Sequence, residues 1–151
     1  MLLSRRALLA GSAAAAAGLV LPGPAGAGPA APVAGTRRIP STGEAIPAVG
    51  LGSWITFNVG KDPVLLDECA AVIAAFAEEG GGMIDCSPMY GSSQDTIGHG
   101  LARLDDPSTV FSAEKVWTSS VERGPGQIAE TRGRWGVERF DLMQVHNLRA
   151  W

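Results

Sequence analysis

The sequence predicts an α/β fold in which parallel strands alternate with helices. Three observations carry this prediction. Short apolar runs end in a polar residue, as at 83–85 and 140–146. Between those runs, apolar residues recur every three to four positions, the pattern of one buried helix face. The resulting order of strand, helix, strand, helix, strand, helix, strand is typical of parallel strands joined by helical crossovers. An open sheet and a closed barrel fit this order equally well.

Composition and charge limit the classes of function. The chain has 151 residues, of which 46% are hydrophobic and 18% are charged, and its net charge is −3. These proportions exclude a disordered polyelectrolyte and a coiled coil. The basic residues form no run longer than pairs such as Arg37-Arg38, so a basic surface for nucleic acid is excluded as well.

The first 27 residues have the pattern of a secretory signal peptide. Arg5 and Arg6 precede an Ala-rich apolar stretch at 7–21, and Ala25 and Ala27 then form a small-residue cleavage site. The stretch is shorter than the ~20 residues that span a bilayer, so we expect no stable membrane span. Paired arginines before a weakly apolar stretch resemble a twin-arginine leader, which predicts an exported, periplasmic or extracytoplasmic protein. The alternative is an Ala-rich disordered tail.

The residues after the leader predict a linker and then one folded domain at 36–151. Residues 28–35 are rich in Pro, Gly and Ala without periodicity, as in a flexible linker. Two extended pieces around the turn-forming residues 41–44 predict a β-hairpin over 36–47. A short buried strand is expected at 48–52.

The helices are predicted from capping signals and apolar periodicity. Asp62 and Pro63 begin the first helix, and the glycines at 80–82 end it. A second helix is expected from an N-cap at Ser93 to Leu104, and a third over 124–136, weakened in its middle by Gly133. Strands are expected at 83–85, 109–116 and 140–145. The buried face of the first helix is predicted to consist of Leu65, Leu66, Cys69, Val72, Ile73 and Phe76.

The cysteines and histidines give no sign of a metal site. Cys69 and Cys86 have the spacing of neither a zinc nor a redox motif, and two free thiols are favoured over a disulfide. The only histidines are His99 and His146, which are too few for a ligand cluster. We therefore expect no bound metal.

Polar side chains stand at the ends of three successive predicted strands. Asp85, Lys115 and His146 occupy these ends, and Tyr90 follows Asp85 by five residues. In parallel α/β folds such ends converge, so the four side chains could meet. Each has an alternative interpretation: Asp85 could cap a turn, Tyr90 could anchor a loop, and His146 could be a core histidine. Lys115 is one of only two lysines in a chain with ten arginines, which favours a role for a compact ammonium.

Together the four groups would suit acid catalysis on a carbonyl. An ammonium beside a phenol favours the phenolate, and a carboxylate would hold that ammonium in place. A neutral imidazole could orient a carbonyl oxygen and share in proton delivery. Reduction also needs a hydride, which no side chain supplies, so a nicotinamide is implied.

Five stretches in order resemble the aldo/keto reductase family. They are residues 38–44 (RIPSTGE), 49–54 (VGLGSW), 82–93 (GMIDCSPMYGSS), 113–117 (AEKVW) and 141–147 (DLMQVHN). The resemblance implies a (β/α)8 TIM barrel whose bottom is closed by a hairpin. It also implies reduction of a small carbonyl compound, an aldehyde or ketone, with NADP(H) as cofactor and NAD(H) as the alternative.

The resemblance also implies a role for each site residue. Tyr90 would donate the proton, Lys115 would favour its phenolate form, Asp85 would pair with Lys115, and His146 would orient the carbonyl. His99 has no counterpart and is expected on a helix surface. The expected cofactor-binding residues are Gly52, Ser53, Trp54 and Asp85, and the expected substrate-binding residues are Trp54, Tyr90, Trp117 and His146.

Length sets the last expectation, because a TIM barrel needs about 250 residues. We expect this chain to form the N-terminal half of the barrel, with most of the dinucleotide site outside it. A half-barrel would leave sheet edges uncovered, which favours self-association. The alternative to an enzyme is therefore a truncated, non-catalytic remnant, a self-associating half-barrel or a ligand-binding module.

Overall fold

The computed structural model describes residues 35–147. The predicted signal peptide at 1–27 lies outside the described residues, as do residues 28–34 of the predicted linker and residues 148–151. Within the described part, none of the helices is long and apolar enough to cross a membrane.

The described part begins with the predicted hairpin. Strands β1 (Thr36–Arg38) and β2 (Ala45–Pro47) pair antiparallel. Ile39 N–H closes the turn by donating to the carbonyl of Glu44 at 2.8 Å. Within the turn, Gly43 has a φ of 74°, the left-handed conformation that glycine adopts without strain. The hairpin prediction is confirmed.

Four parallel strands form the sheet that carries the polar residues. They pair in sequence order, with Gly52 opposite Asp85 and Asp85 opposite Ala113. A doubly wound sheet reverses its strand order at one point, whereas a barrel keeps sequence order. The arrangement therefore confirms an α/β fold that forms part of a (β/α) barrel. The strands are β3 (Gly50–Gly52), β4 (Met83–Asp85), β5 (Phe111–Val116) and β6 (Leu142–Val145).

Three helices connect these strands: α1 (Pro63–Glu78), α2 (Ser93–Leu101) and α3 (Gly124–Trp135). Helix α1 begins as predicted, because Asp62 Oδ1 accepts from the N–H groups of Val64 at 2.9 Å and Leu65 at 3.3 Å. Its first position is a proline, which has no N–H to satisfy.

Several element boundaries differ from the prediction. Helix α2 has Ser92, not Ser93, as its N-cap and ends at Leu101, not Leu104. Beyond that point the chain tightens, since Arg103 N–H donates to Gly100 and Leu104 N–H to Leu101, both three residues back.

The strands are also shorter than predicted. Strand β5 starts at Phe111 because Pro107–Thr109 forms a 3₁₀ turn that Asp106 caps through the Ser108 N–H at 3.0 Å. Strand β3 starts at Gly50, since Ala48 N–H donates to Gly35 at 3.1 Å and so belongs to the hairpin. Strand β6 starts at Leu142 rather than at residue 140.

The buried face of α1 is narrower than predicted. Cys69 and Ile73 are buried as expected, but Leu65 and Val72 are 40% and 49% exposed. Helix α1 packs against one helix neighbour, α2, so the flanks of its apolar stripe face outward. The core between sheet and helices consists of Phe57, Cys69, Ile73, Ile84, Cys86, Ile97, Leu101, Val110 and Trp135.

Helix α3 is continuous through Gly133, so the expected weakness does not interrupt it. It ends at Gly136, whose φ of 72° forms a left-handed cap. Its close approach to α2 depends on Gly98, where a Cβ would lie 2.0 Å from the carbonyl oxygen of Arg134. At Gly133 the corresponding space is open.

Candidate active site

The strand ends bring together the four polar residues that the sequence singled out. Asp85 is the last residue of β4, Lys115 is next to last in β5, and His146 directly follows β6. Tyr90 reaches the same edge from the loop after β4. Because β4, β5 and β6 are adjacent and parallel, their carboxyl ends share one edge of the sheet.

Lys115 forms the centre of the site. Its Nζ lies 2.6 Å from each carboxylate oxygen of Asp85 and 2.8 Å from the carbonyl oxygen of Cys86. Because the first two acceptors belong to one carboxylate, they subtend too small an angle to take an N–H each, so the ammonium makes one shared bond to Asp85 and one to the Cys86 carbonyl. The Lys115 side chain is only 13% exposed, so the ion pair is partly shielded from water. Gln144 adds a longer contact, with Nε2 at 3.4 Å from Asp85 Oδ1.

Tyr90 lies next to this ion pair and close to two other aromatic rings. The Lys115 Nζ lies 5.5 Å from the centroid of its ring. The Trp54 ring is 6.4 Å away, and the His146 ring meets it edge-on at 5.6 Å. Among the described residues, the Tyr90 hydroxyl has no hydrogen-bond partner, whereas its backbone N–H and carbonyl are both bonded within the loop.

The loop that carries Tyr90 depends on its neighbour Gly91. Gly91 has a φ of 62°, and a Cβ there would lie 2.3 Å from Asn58 Oδ1. That same oxygen accepts from the N–H of Ser92 at 2.9 Å and from its hydroxyl at 3.1 Å. Only glycine fits this close approach without a shift, which accounts for the Tyr-Gly pair in the sequence.

His146 is held at two points. Its backbone N–H donates to Val116 at 2.9 Å, and its Nδ1 lies 2.5 Å from the hydroxyl of Ser87. Burial lowers the pKa of His146, and the positive charge of Lys115 lowers it further, against a weaker opposite effect of Asp85. The imidazole is therefore neutral at pH 7.

The predicted cofactor residues lie at the end of β3, next to Asp85. Gly52 pairs with Asp85 in the sheet, and the space where its Cβ would stand is open. Ser53 is buried, and its hydroxyl donates to the backbone carbonyl of Asp85 at 2.8 Å. The Ser53 hydroxyl hydrogen is therefore already used at the end of β4. The Trp54 ring is 64% exposed beside Tyr90.

Trp117 directly follows β5 and has no ring contact with Tyr90 or His146. The Gln127 side chain fixes its backbone, accepting from its N–H at 2.7 Å and donating to its carbonyl at 2.8 Å. Trp117 lines a cavity of about 600 Å³ together with Pro88 and Arg123. His99 lies on α2, where its Nε2 is 2.9 Å from Asp67.

The thiols are free and poorly placed for chemistry. Cys69 and Cys86 are both buried and unbridged, as expected. Burial raises the pKa of Cys86 to about 12, because little solvent reaches the thiolate. Among residues 35–147, no group of three potential metal ligands occurs.

Three residues that contact the site were missed by the sequence analysis. Ser87 bonds His146, Gln144 contacts Asp85, and Glu114 accepts from the backbone of Lys115. Gln144 stands two residues before His146, and alternation along a strand places such residues on one face. That signal could have identified Gln144.

Comparisons with known proteins give relatives of the same kind. An uncharacterized oxidoreductase of Schizosaccharomyces pombe is 29% identical over 107 residues, which cover 69% of this chain and 30% of that protein. The aldo/keto reductase of Brucella melitensis superposes with a TM-score of 0.63 at 20% identity, over 80% of this chain and 43% of that one. An aldo-keto reductase of Klebsiella pneumoniae in complex with NADPH superposes with a TM-score of 0.60 at 21% identity, over 76% of this chain and 39% of that one.

These relatives are considerably longer than the matched region, since the chain spans less than half the length of each. The structural likenesses show the fold. The sequence model of the aldo/keto reductase family matches residues 48–151, which include the strand-end loops and all four polar residues. By this match, the chain belongs to the aldo/keto reductase family.

Proposed function

We propose that this site reduces carbonyl compounds with NADPH as the hydride donor and Tyr90 as the proton donor. One observation carries the proposal: the ammonium of Lys115, bonded to the Asp85 carboxylate and to the Cys86 carbonyl, lies 5.5 Å from the centroid of the Tyr90 ring. A phenol beside a fixed positive charge is suited to giving up a proton.

The residues at the end of β3 fit a nicotinamide ring. Open space at Gly52 next to the Asp85 carboxylate, with the exposed Trp54 ring beside it, would accept a flat group against the strand end. The Klebsiella pneumoniae relative was solved in complex with NADPH, which supports NADP(H) here, with NAD(H) as the alternative. When bound, that cofactor supplies the hydride.

In this proposal Tyr90 and Lys115 handle the proton. The Tyr90 hydroxyl donates its proton to the substrate oxygen as charge develops there. The negative charge left on Tyr90 is stabilised by the ammonium of Lys115, which Asp85 keeps in position. The fixed geometry means that little reorganisation is needed during the reaction.

His146 orients the substrate in the same proposal. Ser87 Oγ accepts from the Met89 N–H at 3.3 Å, and we assign its own hydrogen to the contact with His146 Nδ1. The imidazole then carries its proton on Nε2 and can donate to the carbonyl oxygen. The lowered pKa of His146 maintains this neutral form at pH 7.

The substrate proposed is a small molecule with an aldehyde or ketone group. Trp54 supplies an exposed aromatic surface directly beside Tyr90, and Trp117 with its cavity would contact more distant parts of the molecule. These surfaces favour an apolar body around the carbonyl.

The test is product formation by the full-length protein. Purified protein is mixed with NADPH and a panel of aldehydes and ketones, and both NADPH consumption and alcohol formation are followed. We expect the two to proceed in a one-to-one ratio. NADPH consumption without alcohol, or no turnover with any carbonyl, would contradict the proposal and favour the non-catalytic or ligand-binding alternative.

A second proposal concerns self-association. Within residues 35–147, strands β3 and β6 are the edges of the four-stranded sheet, and in β6 Val145 is 60% and Leu142 40% exposed. An apolar edge with unpaired backbone groups favours pairing with another chain. Sedimentation of residues 36–151 is expected to show a dimer or larger species, and a monomer at all concentrations would rule the proposal out.

A further inference from the structure

Glu114 is a buried carboxylate that the proposed mechanism does not use. It stands between Ala113 and Lys115 in β5, and its side chain is fully buried. Since side chains alternate along a strand, Glu114 faces α2 and α3 while Lys115 faces the site. Burial raises the pKa of Glu114. Hydrogen bonds from the surrounding donors must therefore offset the free-energy cost of taking its carboxylate out of water.

One of its oxygens connects β5 to α2 and, through Gln94, to α3. Oε2 accepts from Gln94 Nε2 of α2 at 3.1 Å, and that same amide nitrogen contacts Thr131 Oγ1 of α3 at 3.2 Å. Oε1 accepts from the backbone N–H of Lys115 at 2.8 Å. Gln94 and Thr131 are themselves buried, so no part of the cluster is open to solvent.

The bond to Lys115 replaces a regular hydrogen bond of the sheet. The pairing of β4 with β5 continues through Cys86, whose N–H donates to Ala113 at 3.0 Å. In a parallel ladder the next bond would run from the Lys115 N–H to the Cys86 carbonyl. Here the Lys115 N–H donates to Glu114, and the Cys86 carbonyl accepts from the Lys115 ammonium at 2.8 Å.

We propose that Glu114 is a positioning residue for Lys115. By taking the backbone N–H of Lys115, its carboxylate leaves the Cys86 carbonyl free to bind the ammonium, which sets that ammonium between Asp85 and Tyr90. The placement stands on the contacts above, and its consequence for catalysis rests on the proposed function.

The reactivity of Lys115 tests this placement directly, because the chain has only two lysines. Lys61 is exposed and serves as an internal reference. The full chain is treated with a limiting amount of acetic anhydride, and acetylation of the two lysines is measured by mass spectrometry of their peptides. In the native protein we expect Lys115 to react much more slowly than Lys61.

Removal of the carboxylate should release Lys115. For Glu114→Leu we expect the ratio of Lys115 to Lys61 acetylation to rise about tenfold, the effect of losing one hydrogen bond to a charged group. For Glu114→Gln the ratio should rise less, because the amide oxygen of the glutamine can still accept from the Lys115 N–H. If Glu114→Leu does not fold, Gln94→Ala takes its place, since it removes the bond to Oε2 and should also raise the ratio.

Val110→Ala is the matched control, because it removes core volume from the same segment without touching Lys115. In this variant the ratio of Lys115 to Lys61 acetylation should stay at the native value. An unchanged ratio in a folded Glu114→Leu or Gln94→Ala protein, or an equal rise in Val110→Ala, would overturn the proposal. Acetylation needs no turnover, so a failure of carbonyl reduction would leave this result interpretable by itself.

Discussion

The Nζ atom of Lys115 is equidistant from the two carboxylate oxygens of Asp85, at 2.6 Å from each. The Cys86 carbonyl accepts from the same ammonium at 2.8 Å. Bonded on these two sides, the ammonium holds a positive charge beside the ring of Tyr90. This pair of residues, contributed by two neighbouring strands, determines the electrostatics of the site.

Arginine should not replace Lys115, although it would keep the charge. A planar guanidinium is larger and cannot take the position of the ammonium between the Asp85 carboxylate and the Cys86 carbonyl. We expect Lys115→Arg to lower kcat for carbonyl reduction by about 10²-fold or more. Lys61→Arg, on an exposed loop, is the matched control and should keep the native rate. A Lys115→Arg protein with native kcat would show that the positive charge alone is sufficient.

His146 should titrate below the usual histidine value of 6.5. Burial and the charge of Lys115 both disfavour its protonation, so Lys115→Met should raise the pKa of His146. As the pH falls through about 6.5, His146 is protonated in the unfolded chain before it is protonated in the folded one. The free energy of unfolding therefore decreases over this range. NMR titration of the two imidazoles, with His99 as the second signal, measures the pKa directly. A midpoint at or above the usual value would contradict this environment.

The contact between α2 and α3 should tolerate no side chain at Gly98. The carbonyl oxygen of Arg134 would lie 2.0 Å from the added Cβ, and backbone moves only at a cost. We expect Gly98→Ala to lower the free energy of unfolding by about 1–3 kcal/mol. Gly133→Ala, where the space is open, should instead raise it by up to about 1 kcal/mol. Denaturant unfolding of both variants measures this difference, and equal effects would refute it.

Export predicts a defined new N-terminus. We propose that the leader is cleaved after Ala27, so that N-terminal sequencing of the extracytoplasmic protein begins at Gly28. Replacing both Arg5 and Arg6 with lysine should retain the protein in the cytoplasm with Met1 intact. Recovery of the uncleaved chain from the cytoplasm of the unaltered strain would rule out export.

Much of the site could be predicted from strand ends alone. Asp85, Lys115 and His146 each follow or end an apolar run, and parallel strands necessarily bring such ends together. The choice between open sheet and barrel could not be made from periodicity, because both use the same order of elements. It required the pairing of β3, β4, β5 and β6 in sequence order.

The residues that support the site were harder to predict. Ser87 acts through a contact with His146, which is 59 positions away, and no local pattern marks such a pair. Glu114 is a charged residue in an apolar strand, and its burial depends on a hydrogen bond from Gln94 of α2, which also contacts Thr131 of α3. Tertiary packing also determined how wide the buried face of α1 is, because α1 packs against one helix neighbour, α2.

Single-turnover reduction by Tyr90→Phe in the full-length protein tests whether the Tyr90 hydroxyl donates the proton. The change removes one hydroxyl and leaves the ring packing against Trp54 and His146 intact. We predict that the rate of carbonyl reduction falls by about 10²–10⁴-fold, while the affinity for NADPH, followed by its fluorescence, stays unchanged. A variant that reduces the carbonyl at the native rate would contradict the assignment of Tyr90 as the proton donor.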